Sequence, residues 1–179
     1  MLTIILIGVV VLVAVLVIVI AMQPGAFRVS RSAVFAAPPE VVFPQVNNLH
    51  NWEAWSPWAK LDPTAKNSYS GPPEGVGAAF AWAGSMQVGE GSMTIIESRP
   101  DELVRFRLEF LKPFKATNIA EFTFKQDGGQ TVVTWSMSGP ANFMRKAMGL
   151  LMNCDKMCGD FFEKGLADMK AIVEVPVAK

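Results

Sequence analysis

Charge is missing from the start of this sequence: between Met1 and Met22 there is no Lys, Arg, His, Asp or Glu. A helix of that length, rising ~1.5 Å per residue, crosses the ~30 Å hydrocarbon core of a bilayer. The chain then turns polar at Gln23-Pro24-Gly25. The run has no polar face and is rich in β-branched residues, which suits lipid better than the seam of a soluble core. The expectation is a single-pass membrane anchor over residues 1–22, a short linker over 23–26 and one soluble domain over 27–179. The alternative is a cleaved signal peptide, with Pro24-Gly25-Ala26 as the cleavage site. Such peptides normally open with a basic residue and carry an apolar stretch of about 7–15 residues, and this run does neither. Arg28 and Arg31 follow it. A basic flank is usually retained on the cytoplasmic side, so these two charges favour a cytoplasmic domain.

Other scarcities exclude chemistry. There are two cysteines, Cys154 and Cys158, and one histidine, His50. The cysteines are too far apart for a C-x-x-C redox pair, and a zinc site would lack ligands, so no metal and no cofactor is expected. Two buried or half-buried thiols agree with a reducing compartment. With His50 as the one histidine no Ser-His-acid set can be assembled, and the glycine-rich pieces lack a phosphate-loop pattern. The 16 basic and 16 acidic residues cancel and form no basic cluster, so no nucleic-acid partner is expected. No repeat and no long linker interrupts the roughly 157 residues beyond the apolar run, enough for one domain with a real core.

What is present beyond the linker is sheet, then helix. Phe27 to Phe35 is a strand candidate with Phe27, Val29, Arg31, Ala33 and Phe35 on one side. Pro38-Pro39-Glu40 opens a short helix, with a proline in its first turn and an acid at the positive end of its dipole. Trp52, Trp55 and Trp58 follow at three-residue spacing, either closing one end of the core or forming the mouth or wall of a pocket. Strands are expected from Ser68, then over Ala78–Ala83, Ser92–Ser98, Leu103–Phe110, Thr117–Lys125 and Thr131–Ser138, the last two joined by the hairpin signal Asp127-Gly128-Gly129. Leu103 to Phe110 alternates cleanly: Val104, Phe106, Leu108 and Phe110 share one face, Arg105, Arg107 and Glu109 the other. Asn142 to Met152 reads as an apolar, Met-rich helix. Asp155 to about Val173 reads as a longer one, with Phe162, Leu166, Met169 and Val173 at intervals of three and four. Gly165 within it is either a tolerated glycine or the mark of close approach by a strand or a ligand.

The segment Ala37-Pro38-Pro39-Glu40-Val41-Val42-Phe43, followed by Asn51-Trp52-Glu53-Ala54-Trp55-Ser56-Pro57-Trp58, resembles the opening of the START-like, Bet v 1-like superfamily, in particular its polyketide cyclase/dehydrase branch. Gly159 to Lys170 is similar to the end helix of the same branch. The resemblance implies an α+β helix-grip fold. A curved seven-stranded antiparallel sheet would wrap a long C-terminal helix, with two small helices between the first two strands and the apolar N-terminal helix in front. It also implies a cavity that holds sterols, lipids, polyketides or other apolar molecules, and in a minority of relatives an enzyme.

The expected cavity lies between the concave sheet face and the last helix, lined by Phe80 or Trp82, Phe106, Leu108, Trp135, Met137, Phe162, Leu166 and Met169, with Trp52 and Trp55 at its rim. Glu97, Glu109, Glu121, Arg105 and Arg107 are the polar groups on strands, and alternation puts Arg105, Arg107 and Glu109 on the solvent side. The expected function is membrane-anchored binding of an apolar or amphipathic small molecule or lipid. A cyclase- or hydratase-like enzyme using the same cavity, and a structural or protein-interaction domain with the cavity collapsed, are the alternatives.

Overall fold

The computed structural model describes residues 1–151 and 153–175. Helix α1 (Leu2–Ala21) leads into strand β1 (Ala26–Phe35). Helix α2 (Pro39–Asn47), a 3-10 turn over Leu49–Asn51 and the short α3 (Trp52–Trp55) follow. Strands β2 (Lys66–Ser70), β3 (Ala79–Ala83), β4 (Glu90–Arg99), β5 (Leu103–Lys112), β6 (Ala116–Asp127) and β7 (Gln130–Pro140) come next, and helices α4 (Phe143–Leu151) and α5 (Cys154–Val173) close the chain. This is an α+β fold with a seven-stranded antiparallel sheet, ordered β1-β7-β6-β5-β4-β3-β2. Register shifts in β4, between Glu90 and Gly91 and between Ile95 and Glu97, add the local twist that curves it.

The register gives the sheet two ends. At the first, here called proximal because β1 enters from α1, lie the pairs Ala26↔Pro140, Phe110↔Ala116, Glu90↔Lys112 and Lys66↔Ala83. At the distal end lie Phe35↔Thr131, Asp127↔Gln130, Arg99↔Leu103 and Ser70↔Ala79. The concave face is the one the alternation marks: Val104 and Phe106 of β5, Ala120, Phe122 and Phe124 of β6, and Val133 and Trp135 of β7 are all buried.

Helices α2, α3 and α5 cover the distal and central parts of that face. Arg31, on the inner side of β1, places its guanidinium over Gly159 of α5. It pairs with Asp155 at 3.0 Å and Glu163 at 2.8 Å, which raises its pKa further, first through the Asp155 hydrogen bond. At the other end of the helix Glu174 accepts from the Ala36 amide at 2.5 Å. Asn153 caps α5 by accepting from the Lys156 amide. Gly165 is the close approach that the sequence suggested: a Cβ there would meet the Trp135 ring at 2.8 Å and Pro57 at 3.1 Å. A glycine in a helix interior costs ~1 kcal/mol relative to alanine, and here it lets the helix seat on an indole.

Candidate ligand-binding site

Three tryptophans follow α2, and two of them solve a problem that the helix creates. The last carbonyls of a helix have no partner within it. The indole Nε1 of Trp55 donates to the Gln45 carbonyl at 3.0 Å, and that of Trp52 to the Val46 carbonyl at 3.0 Å. Asn51 donates to the Pro44 carbonyl at 2.9 Å. The indoles therefore finish α2 while their rings turn inward. Trp55 is completely buried, so it is part of the core floor and not the rim of an opening. Trp52 is half-buried and meets Phe106, Phe122 and Trp135 edge-on, with centroids 5.3, 5.7 and 6.0 Å away.

The centre of the expected cavity is occupied by rings in contact. Trp135 stacks on Phe162 at 4.2 Å and an angle of 8°, and on Phe122 at 4.6 Å. Trp58 closes the side, edge-on to Trp135 and stacked on Phe161. Phe106, Phe162, Leu166 and Met169 are at most 2% exposed. These expected lining residues, with Trp135, form a packed aromatic centre between sheet and α5.

The other expected residues behave differently. Phe80, Trp82, Leu108 and Met137 are half-buried, as are Phe27 and Phe110 beside them. All six lie on the inner face: Met137 shares the row of Phe106, and the other five lie on the rows beyond it towards the proximal end. The reason is where α5 starts: its first turn meets Arg31, four residues further along β1 than Phe27, and the Arg145 guanidinium of α4 sits 3.3 Å above the Phe27 ring instead. Phe80 stacks on Trp82 at 6.0 Å, and Trp82 meets Phe110 edge-on at 5.9 Å, so this end of the face is an aromatic wall. Gly91 makes room for it, since a Cβ there would meet the Trp82 ring at 2.7 Å. Phe27 and Phe110 were absent from the expected lining, although the alternation that selected Leu108 also marks them.

One polar side chain lies among these residues. Asn118 of β6 is 4% exposed, its Oδ1 has no hydrogen-bond partner among the described residues, and its Nδ2 contacts the Met137 sulfur at 3.9 Å. A buried, unsatisfied amide oxygen costs about 1–3 kcal/mol, so the site carries an unmet polar preference. The charged candidates lie elsewhere. Arg105 is held on the outer face between Glu121, at 2.7 Å, and Glu97, and the Glu121 hydrogen bond leads the rise in its pKa. Arg107 and Glu109 pair with each other, also on the outer face. Cys158 is half-buried against the core, and the Cys154 side chain lies outside the described residues.

The β3–β4 loop borders the aromatic wall and is tied down. The Trp82 Nε1 donates to the Val88 carbonyl at 3.1 Å. Asp62 accepts from the Thr64 hydroxyl at 2.7 Å, the Ser85 amide at 2.6 Å and the Thr64 amide at 3.0 Å, and these bonds lower its pKa from 3.8 to about 2. A depressed folded-state pKa means that the hold is fully present above pH 3.8 and is lost as pH falls through about 2. Amide exchange at Ser85 should therefore be flat from neutral pH to about pH 4, after correction for intrinsic rates, and rise below it. Asp62→Asn should show the raised exchange at neutral pH.

A separate crevice of about 320 Å³ lies at the distal end, between Leu49, Pro72, Pro73 and the stacked rings of His50 and Tyr69. It opens to solvent and does not lie under α5, so it encloses little of a ligand compared with a cleft between sheet and helix.

Sheet, grip helix and inner-face aromatics define a class, and the comparisons agree with it. Residues 26–174 match the family described as polyketide cyclase/dehydrase and lipid transport. The chain belongs to that family, within the START-like, Bet v 1-like superfamily. Protein MLL2253 from Mesorhizobium loti is similar in structure, with a TM-score of 0.61 at 14% identity over 83% of this chain and 97% of that one. Protein CV1439 from Chromobacterium violaceum is similar with a TM-score of 0.59 at 16% identity, over 86% and 99%. Ara h 8.0201 has a TM-score of 0.57 at 10% identity, over 83% and 98%. At these identities the likeness is one of fold. No curated protein matches the sequence significantly.

Proposed function

We infer that this protein binds an apolar or amphipathic small molecule or lipid between the proximal end of the concave sheet face and α4, held beside a membrane by residues 1–22. The observation that carries the reading is the split along one face. The sheet rings beneath α5, Phe106, Phe122 and Trp135, pack to near-zero exposure, while Phe27, Phe80, Trp82, Leu108, Phe110 and Met137 remain half-buried. Apolar side chains that the fold leaves partly open at the mouth of a concave sheet are a surface for an apolar ligand. Asn118 supplies a polar contact for the head of an amphipathic one after a rotamer change of Met137, whose side chain is flexible. The family description, which includes lipid transport, supports the same ligand class.

The tether rests on α1. It is 20 residues long, about a bilayer in helical rise, and only its Ile20 is buried against the rest of the molecule. Lipid is the solvent that such a surface fits, and a tether raises the effective concentration of the binding domain near molecules scarce in water. The basic flank of Arg28 and Arg31 just past α1 favours the cytoplasmic side for the soluble domain, with Arg31 also engaged by Asp155 and Glu163 in the folded chain.

Native mass spectrometry of the full chain, extracted with its membrane and without added ligand, tests the binding reading. A recurrent bound mass is expected, and Leu108→Trp, which adds bulk to the half-open end, should reduce its occupancy at least about tenfold, a loss of 1.4 kcal/mol or more. An outer-face control, Ile96→Trp, should leave it unchanged. Absence of any bound mass, together with no saturable uptake of a fluorescent fatty acid, would remove this reading in favour of a structural role.

A further inference from the structure

The two ends of the sheet differ in chemistry as well as in cover. The turns at the distal end carry Glu74, Asp101, Glu102 and Asp127, with one exposed apolar side chain, Val76, between β2 and β3. The turns at the proximal end carry apolar side chains at their tips: Met86, 91% exposed, between β3 and β4, and Phe114, 62% exposed, between β5 and β6. Antiparallel register brings these two turns side by side, since Glu90, just past the first, pairs with Lys112, just before the second. The same end carries Phe143 of α4, 52% exposed.

Basic residues surround these tips. Arg28, Lys66, Lys112, Lys115 and Lys146 lie at the proximal end, against Asp62, Glu90 and Glu109. This is also the end from which α1 departs. Lys146 of α4 donates to the carbonyl of Ala21, the last residue of α1, at 3.1 Å, and the Ala141 amide donates to the Gly25 carbonyl at 2.9 Å. Exposed Phe and Met beside lysines, at the point where an apolar helix of bilayer length leaves the domain, are arranged as interfacial anchors are.

We propose that the proximal rim docks on the surface of an anionic phospholipid bilayer, with Met86 and Phe114 in the interface and the half-open inner face turned towards the lipid. Docking in this pose gives the site of the preceding section an entrance from the bilayer, so that a ligand passes between lipid and sheet without crossing water. The proposal rests on α1 spanning the membrane, and the experiment separates the two.

The full chain is reconstituted in vesicles of phosphatidylcholine with phosphatidylglycerol, and in phosphatidylcholine alone. A polarity-sensitive bimane label is placed at Met86→Cys, at Phe114→Cys or, on the distal end, at Val76→Cys. The unsubstituted chain, labelled in parallel, gives the background from native cysteines. Emission at positions 86 and 114 should shift to the blue in the anionic vesicles, less so without phosphatidylglycerol or with Lys112→Glu and Lys115→Glu together, while position 76 stays at its value in water. Labels at 86 and 114 that match position 76, in a chain that resists alkaline extraction from the vesicles, overturn the docking alone. A blue shift indifferent to phosphatidylglycerol overturns the anionic preference. A chain that washes off the vesicles overturns the span, and the docking with it.

Discussion

Trp135→Ala should cost about 3–5 kcal/mol of folding stability, the range for removing a large ring from a closed core. Trp135 is 3% exposed, lies between Phe122 and Phe162 at 4.6 and 4.2 Å, and meets Trp52, Trp55 and Trp58 edge-on. Deleting it empties the space under Gly165, where backbone and ring meet closely and neither neighbour has a flexible chain to refill the gap. Denaturant unfolding of the full chain in mild detergent, followed by near-ultraviolet circular dichroism, reads the change. Leu108→Ala, at the half-open end, should cost well below the 2–5 kcal/mol typical of a buried leucine. The ordering matters more than either value. If Trp135→Ala were mild and Leu108→Ala severe, the ring stack would be the cavity wall and the proximal end the core, reversing the site.

That division of one sheet face was only half legible in the sequence. Strict alternation in Leu103–Phe110 put Phe106 and Leu108 on the inner face and Arg105, Arg107 and Glu109 outside, as the structure has them. The Asp127-Gly128-Gly129 hairpin and the three-and-four spacing of Phe162, Leu166 and Met169 were equally plain, because each is a local pattern. Whether an inner residue is sealed depends instead on where α5 begins along β1, and that is set by the Arg31 contact with Asp155 and Gly159, residues more than a hundred positions away. Alternation put Arg31 on the same side of its strand as Phe27, Val29, Ala33 and Phe35. Arg31 is the dock for the helix. The indoles of Trp52 and Trp55 could be read as closing the core or as the rim of the expected cavity; their N–H groups complete α2 and draw the rings inward. The spacing carries no sign of that, since the acceptors are carbonyls freed only when the helix ends.

Placing arginine in the apolar helix should have the largest effect on where the protein is found. Near the centre of a span each arginine raises the insertion free energy by about 2.5–3.5 kcal/mol, and the valine it replaces had contributed a few tenths in favour. Val11→Arg with Val15→Arg therefore shifts insertion by about 6–8 kcal/mol, roughly four to six orders of magnitude in the equilibrium. The domain itself should remain folded, because Ile20 is the one buried residue of α1 and the helix touches the rest of the molecule near its last turn. The unsubstituted chain is expected to stay with the membrane pellet through an alkaline carbonate wash and to keep its first residues on N-terminal sequencing. The double variant should appear in the soluble fraction with a near-ultraviolet spectrum matching the original. Mature chains beginning near Gln23 or Phe27 would instead mark residues 1–22 as a signal peptide. The binding site would then work free of any tether, and the apolar tips of Met86 and Phe114 would need another partner.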